Sequence, residues 1–358
     1  MTPRERFQRT MHFQPVDRAP LWDWGPWSQT LRRWRQEGLT AEEGVPQLAE
    51  CDPREDCGVD FAPVPRFEKQ VLAEDERGVT YINEIGQTLK NLHEWELSMP
   101  LFLDYPVHNR AEWEALTSRF NPSSPERYPA DWDTRRVRWQ QNGVVVHLMG
   151  DRNMGFFGPL RERWGPEALM VVMKEDPLLV HEMMEFLADF FIGVLRRALE
   201  EAKIDWVIFW EDMACRHGSL ISPKMFREFM VPRYQKVTEF VRSHGVDIIG
   251  VDSDGNVSEL VPLWLEGGVN LVYPMEVQAG NDVAAYRREY GRDLLMTGGF
   301  DKRALAQGKR AIDAELARIM PVVEQGGYIP TIDHSVPPDV PYENFLYYWE
   351  RKKQLLGA

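Results

Sequence analysis

The chain has 358 residues, 43% of them hydrophobic and 27% charged, and its formal net charge is −14. That composition supplies a large core and excludes a disordered chain, and the length suits one elaborated domain over residues 1–358. The negative charge argues against nucleic acid or an anionic membrane as partner, since either requires a clustered positive field.

In chain order, Met1 to Pro20 mixes Arg, Glu, Asp and Pro without an apolar stretch, so no targeting segment is expected, and no later run has membrane-spanning length. The three cysteines, Cys51, Cys57 and Cys215, cannot all pair and lack a regular metal spacing. They fit reduced, buried thiols in a cytoplasmic protein. Two short apolar runs, Leu21 to Trp24 and Val59 to Pro63, are expected to be the first two strands. An insertion follows, covering about residues 66–140. Within it, Val71 to Leu92 predicts an antiparallel hairpin turning at Asp75 to Gly78, and Tyr105 to Asp133 is rich in Pro, Ser and charge. The insertion is expected to fold over the mouth of the domain.

From Asn142 onward, short apolar runs alternate with longer amphipathic stretches. The six runs are Val144 to Met149, Asp205 to Trp210, Asp247 to Asp252, Leu271 to Met275, Leu294 to Gly298 and Tyr328 to Ile332. Most lack polar alternation, as strands covered on both faces should. Between them, Ser222-Pro223 predicts a capped helix start, and His244-Gly245 and Gly267-Gly268 predict helix ends. Eight strands with intervening helices predict an α/β fold, a (β/α)8 TIM barrel.

Barrel enzymes keep their reacting groups where strands end. Here the strand ends carry Asp151-Arg152, Trp210-Glu211, Asp252-Ser253-Asp254, Glu276 and Asp333-His334. Asp252 and Asp254 sit two apart, so in an extended segment both point the same way. With His334 they could hold a divalent metal, zinc or manganese, leaving positions open for substrate or water. Equally, Asp254-Gly255-Asn256 suits a tight turn, Asp252 a helix cap, and His334 a hydrogen bond to Asp333. Glu211, Asp333 and His217 are the candidate acids and bases. Trp22, Asp23, Trp27, Asp151, Arg152, Trp210 and Glu276 are candidate substrate contacts, and Trp22, Trp24 and Trp27 could form an aromatic wall.

Several segments resemble the superfamily that joins uroporphyrinogen decarboxylase to the cobalamin-linked methyltransferases. They are Met1 to Arg6, Pro15 to Pro20, Leu220 to Pro223 with Phe226 and Pro232, and Pro337 to Asn344. The resemblance implies a (β/α)8 barrel, a monomer or homodimer, and an enzyme. The decarboxylase branch carries an Arg-Gln-Ala-Gly-Arg segment where this chain reads Asp23-Trp24-Gly25-Pro26-Trp27, and its aspartate after the second strand has no secure match near Asp60 to Pro65. In the methyltransferase branch, zinc is bound by a His-x-Cys pair and a later Cys, which correspond here to Asp252-Ser253-Asp254 and His334. Oxygen ligands are harder than thiolates. The resemblance therefore implies metal-assisted methyl transfer or demethylation of a small substrate, with a corrinoid protein as partner. A metal-free decarboxylase or lyase and a non-catalytic binding protein are the alternatives.

Overall fold

A computed structural model describes residues 1–40, 44–93 and 99–358. Part of the expected insertion, residues 94–98, lies outside the described residues. In chain order the strands are β1 (Arg54–Asp56), β2 (Gln70–Asp75), β3 (Gly78–Ile82), β4 (Thr88–Leu92), β5 (Leu101–Asp104), β6 (Val145–Leu148) and β7 (Trp206–Trp210). There follow β8 (Ala214–Cys215), β9 (Gly218–Ser219), β10 (Ile249–Asp252), β11 (Leu271–Tyr273), β12 (Leu295–Phe300) and β13 (Tyr328–Ile332). Seven of them form one parallel sheet in the order β1-β6-β7-β10-β11-β12-β13. All six strands expected after Asn142 are in it, joined by helices such as Pro177–Glu201 between β6 and β7.

Side chains alternate along each strand. Trp206, Ile208, Ile248, Leu271, Tyr273, Leu295 and Ile329 make an inner cluster with Val145, and Phe7 and Met11 of the first helix pack into it. Their neighbours in sequence, among them Val207, Phe209, Ile249 and Val272, face the helices in a second, larger core. The sheet thus curls around a lumen whose inner and outer faces follow from strand parity.

Two expectations are corrected. Val59 to Pro63 is not a strand; β1 begins five residues earlier, in the charged run Arg54-Glu55-Asp56. Leu21 to Trp24 has no strand hydrogen-bond ladder, although it lies between β1 and β13. On one side Leu21 and Asp52 are joined twice, through Asp52 N–H to the Leu21 carbonyl at 2.9 Å and Leu21 N–H to the Asp52 carboxylate at 2.8 Å. On the other, the Ile332 N–H donates to Asp23 Oδ1 at 2.8 Å, and Pro26 bridges in parallel to Val336. Side chains here replace the ladder that a regular strand would form.

The insertion folds as expected around 75–78 but extends to four antiparallel strands, β2-β3-β4-β5. The Gln87 side chain pins it to the rim through the Glu162 carboxylate at 2.7 Å. It borders Asp151, Arg152 and Asn153 at the end of β6 around a cavity of about 350 Å³. No helix among the described residues is long and apolar enough to cross a membrane.

Asp23 is the hub of the joint between the chain's two ends. Its side chain is fully buried and pairs with Lys352 at 2.8 Å, while Tyr348 donates to it at 2.7 Å. Replacing Asp23 by Ala strands the Lys352 ammonium in the interior, and breaking a buried pair on one side costs about 3–5 kcal/mol. Asp23→Ala is expected to lose that much stability in a denaturant titration; a loss below about 1 kcal/mol would show the pair to be dispensable.

Candidate active site

Parity places Asp252, the last residue of β10, on the lumen side, two residues beyond Gly250. Its backbone carbonyl accepts the N–H groups of Glu211 and Asp212 at 2.9 and 3.3 Å, which stitches the ends of β7 and β10 together. Burial raises the Asp252 pKa well above the ordinary carboxylate value. The neighbouring charges of Asp254 and Asp212 push in the same direction, against His334 and Arg152. Asp252 is therefore a carboxyl group biased toward its neutral, proton-bearing form.

Asp254 lies two residues on and pairs with His334 at 3.4 Å. The intervening Ser253 is buried and accepts the Met213 N–H at 3.1 Å. Gly255 turns the chain at φ 84°, where a Cβ would come within 2.6 Å of the Ala214 backbone, so only glycine fits. Its N–H donates to Glu276 at 3.0 Å, and Lys302 holds Glu276 at 2.8 Å. The His334 imidazole sits between two indoles, 6.2 Å from Trp24 and 5.7 Å from Trp27. Burial alone lowers its pKa, yet the hydrogen bond and charge of Asp254 outweigh that, and the net shift is upward.

Aromatic side chains continue the wall. Tyr273 lies 6.3 Å from Trp24 and 6.1 Å from Trp206, and His147 lies 5.6 Å from Trp206. Arg152 and Arg161 cover the Trp210 ring at 5.3 and 5.0 Å. Three non-glycine residues at the strand ends, Asp151, Asp212 and Met275, adopt left-handed φ angles of 51°, 41° and 55°. Strain of this kind concentrates at working sites.

The expected site residues fall into two groups. Asp252, Asp254, His334, Trp27, Trp210, Arg152 and Glu276 gather at the carboxyl ends of the strands, and Asp151 is exposed beside them. Five others do not join them. Glu211 is fully buried on the outer side of β7, where it accepts the Phe156 and Gly158 N–H groups at 2.7 and 2.8 Å and the Tyr234 hydroxyl. A Cβ at Gly158 would sit 2.6 Å from the Trp210 carbonyl, so the bare glycine is what lets this helix start approach. Burial lifts Glu211 to a pKa of about 7, but its partners belong to the scaffold. Asp333 is also fully buried, receiving the Val277 and Lys302 N–H groups at 2.9 and 3.0 Å, and burial raises its pKa to about 6. Asp23 is the structural hub already described. Trp22 is floor core, stacked on Phe7 at 5.3 Å, and His217 is exposed at the tip of the β8–β9 hairpin. Cys215 is exposed there as well, contrary to the expectation of buried thiols.

As placed, Asp252, Asp254 and His334 do not form a metal cradle. His334 Nε2 is taken by Asp254, and among the described residues no group of three or more His, Cys, Asp or Glu side chains is arranged to hold an ion.

Sequence reading missed Arg54, Asp56, His147 and Tyr273 on the lumen. Arg54 and Asp56 were hidden by the misplaced second strand. His147 and Tyr273 were legible from parity, since each sits two residues from an inward-facing apolar neighbour in a strand that was predicted.

The uroporphyrinogen decarboxylase (URO-D) family profile matches residues 161–355, more than half of the chain. The uroporphyrinogen decarboxylase of Nostoc sp. is 26% identical over 183 residues, which cover 50% of this chain and 49% of that one. The chain thus spans about half the length of that relative. The enzyme of the same name from Ectopseudomonas mendocina is 23% identical over 378 aligned positions, covering 99% and 98% of the two chains. Among solved structures, a methyltransferase from Methanosarcina mazei superposes with a TM-score of 0.61 at 15% identity over the whole of both chains, which is a likeness of fold.

The Asp254–His334 pair makes a signed prediction. With Asp254→Asn the raising influence goes and burial dominates, so the His334 pKa is expected to move from above its ordinary value to below it. Imidazole proton shifts followed by NMR through a pH titration check this; an unmoved midpoint contradicts the pairing.

Proposed function

The chain belongs to the uroporphyrinogen decarboxylase family, and from that footing we propose that it is an enzyme removing or transferring a methyl group on a small substrate held in the lumen. In this reading Leu21 to Trp24 is the irregular eighth stave of a (β/α)8 barrel, and the site lies at the carboxyl ends of its strands. The observation that carries the proposal is Asp252, a carboxyl group whose pKa burial raises, set in an aromatic-walled lumen beside the Asp254–His334 pair.

A methyl group leaves an oxygen readily only if that oxygen receives a proton. When the C–O bond breaks, its electron pair stays on oxygen and the methyl group passes to a nucleophile. Asp252 then donates its proton to the oxygen, and the product is a hydroxyl compound. Once Asp252 is a carboxylate, the His334 imidazole, paired with Asp254 two residues away, is the candidate acid to restore its proton. Trp24, Trp27, Trp210 and Tyr273 offer the flat, apolar surfaces that a methylated ring or methyl cation favours, and they exclude water from the reacting bond. A corrinoid carried by a partner protein would supply a reduced cobalt as methyl acceptor. The three free thiols suit a reducing compartment, the cytoplasm.

Decarboxylation is the second reading, favoured by the same neutral acid, which could hand its proton to a carbanion left by departing CO2. Uroporphyrinogen itself fits poorly, because the segment Asp23-Trp24-Gly25-Pro26-Trp27 offers no arginine at this point of the wall to a substrate bearing many carboxylates.

The test uses the purified protein with free cob(I)alamin and a panel of methoxylated aromatic compounds, without oxygen. Methylcobalamin is expected to form, and Asp252→Asn to slow it at least about a hundredfold. Because Asp252 must carry a proton, kcat/KM is expected to fall as pH rises through its elevated pKa, and the variant to lose that limb. CO2 release without methylcobalamin would install the second reading, and an Asp252→Asn rate equal to wild type would sink both.

A further inference from the structure

We propose that the floor of the lumen is a carboxylate-binding site anchored by Arg54, so that the substrate is a small organic acid. This rests on the reading above only for the position of the reacting end.

Arg54 opens β1, and parity sends it inward while Glu55 turns outward to Arg138 and to the Trp139 indole N–H at 2.9 Å. Three arginines from the start of the chain are engaged. Arg4 pairs with Asp205 at 2.9 Å, Arg6 with Asp17 and Asp52 at 2.8 Å each, and Arg18 with Asp52 at 2.7 Å. The Arg54 guanidinium, by contrast, lies over the Trp22 indole at 4.7 Å and makes no hydrogen bond or ion pair among the described residues. It keeps exposed surface, although surrounding protein desolvates it enough to lower its pKa.

Neither nearby carboxylate satisfies it. Asp23 is consumed by Lys352 and Tyr348, and Asp56 accepts the Gly58 and Met149 N–H groups at 2.6 and 3.1 Å. Two more polar atoms on this floor, His147 Nδ1 and Trp206 Nε1, are buried without a partner. Unsatisfied buried polar groups are rare in native proteins because each forfeits its hydration. Burial, with the Arg54 charge, holds the His147 pKa down at about 3, so that imidazole is neutral and Arg54 supplies the floor's charge.

A guanidinium stacked on an indole keeps its in-plane N–H fork free, and that fork matches a carboxylate with two parallel hydrogen bonds. Tyr273 connects the floor to the rim. It lies within the influence of both Asp252 and Arg54, so an acid anchored at Arg54 extends past Tyr273 toward Asp252.

Calorimetric titration of the purified protein with benzoate, and with benzamide as its uncharged isostere, tests the site without requiring turnover. Benzoate is expected to bind at least about tenfold more tightly than benzamide, and Arg54→Gln to erase that preference. Arg54→Lys keeps a cation but loses the fork, so it is expected to fall between the two. Equal binding of the two probes to wild type, or a preference retained in Arg54→Gln, overturns the proposal. If Arg54→Gln does not fold, the wild-type comparison and Arg54→Lys decide it. Methyl transfer could fail while this preference stands, and the reverse, so the two readings are judged separately.

Discussion

A residue on a strand of a covered parallel sheet can face the lumen or the helices but not both, and this alternation decides the chemistry of the molecule. Asp252 and Glu211 show its force. The Asp252 carbonyl accepts the Glu211 N–H at 2.9 Å, yet the two carboxyl groups lie on opposite faces of the sheet. Both are pushed up by burial. Glu211 spends its proton affinity on the start of the helix Phe157–Trp164 and on Tyr234, whereas Asp252 meets the lumen, where a substrate can use what it carries.

The same alternation needs a continuous wall, and the segment around Asp23 provides one without being a strand. Its carboxylate joins the N–H of Ile332, the Tyr348 hydroxyl and the Lys352 ammonium, so that β13 and the final helix, Tyr342–Leu356, are fastened to the start of the chain. Such a buried charge is costly to desolvate and holds only because each oxygen is satisfied. Fixing this segment fixes Trp24 and Trp27, and these in turn hold His334 facing Asp254. The scaffold and the candidate site are therefore one network, in which Asp23 positions groups it never touches.

Much of this was legible in the residues. The six strands after Asn142 read correctly because strands buried on both faces are unbroken apolar runs bounded by turn residues. The first two did not. Arg54-Glu55-Asp56 reads as a loop because its inward face is a polar lumen and its outward residue a salt-bridged rim, so no apolar run marks it. Leu21 to Trp24 is apolar enough to suggest a strand, but side-chain hydrogen bonds took over its edges. Among the acids, position after a strand marks Asp252 and Asp254, which face the lumen, and equally Glu211 and Asp333, which are buried against backbone N–H groups, since turn position does not say which way a side chain points. Arg54 escaped notice for the same reason that makes it informative, namely a charge placed where the core should be.

The central claim is that Asp252 holds a proton at neutral pH, and infrared difference spectroscopy reads this directly. Subtracting the spectrum of Asp252→Asn from that of the wild-type protein at neutral pH is predicted to reveal the carbonyl stretch of a protonated carboxyl group. A difference confined to ionised carboxylate bands would contradict the account.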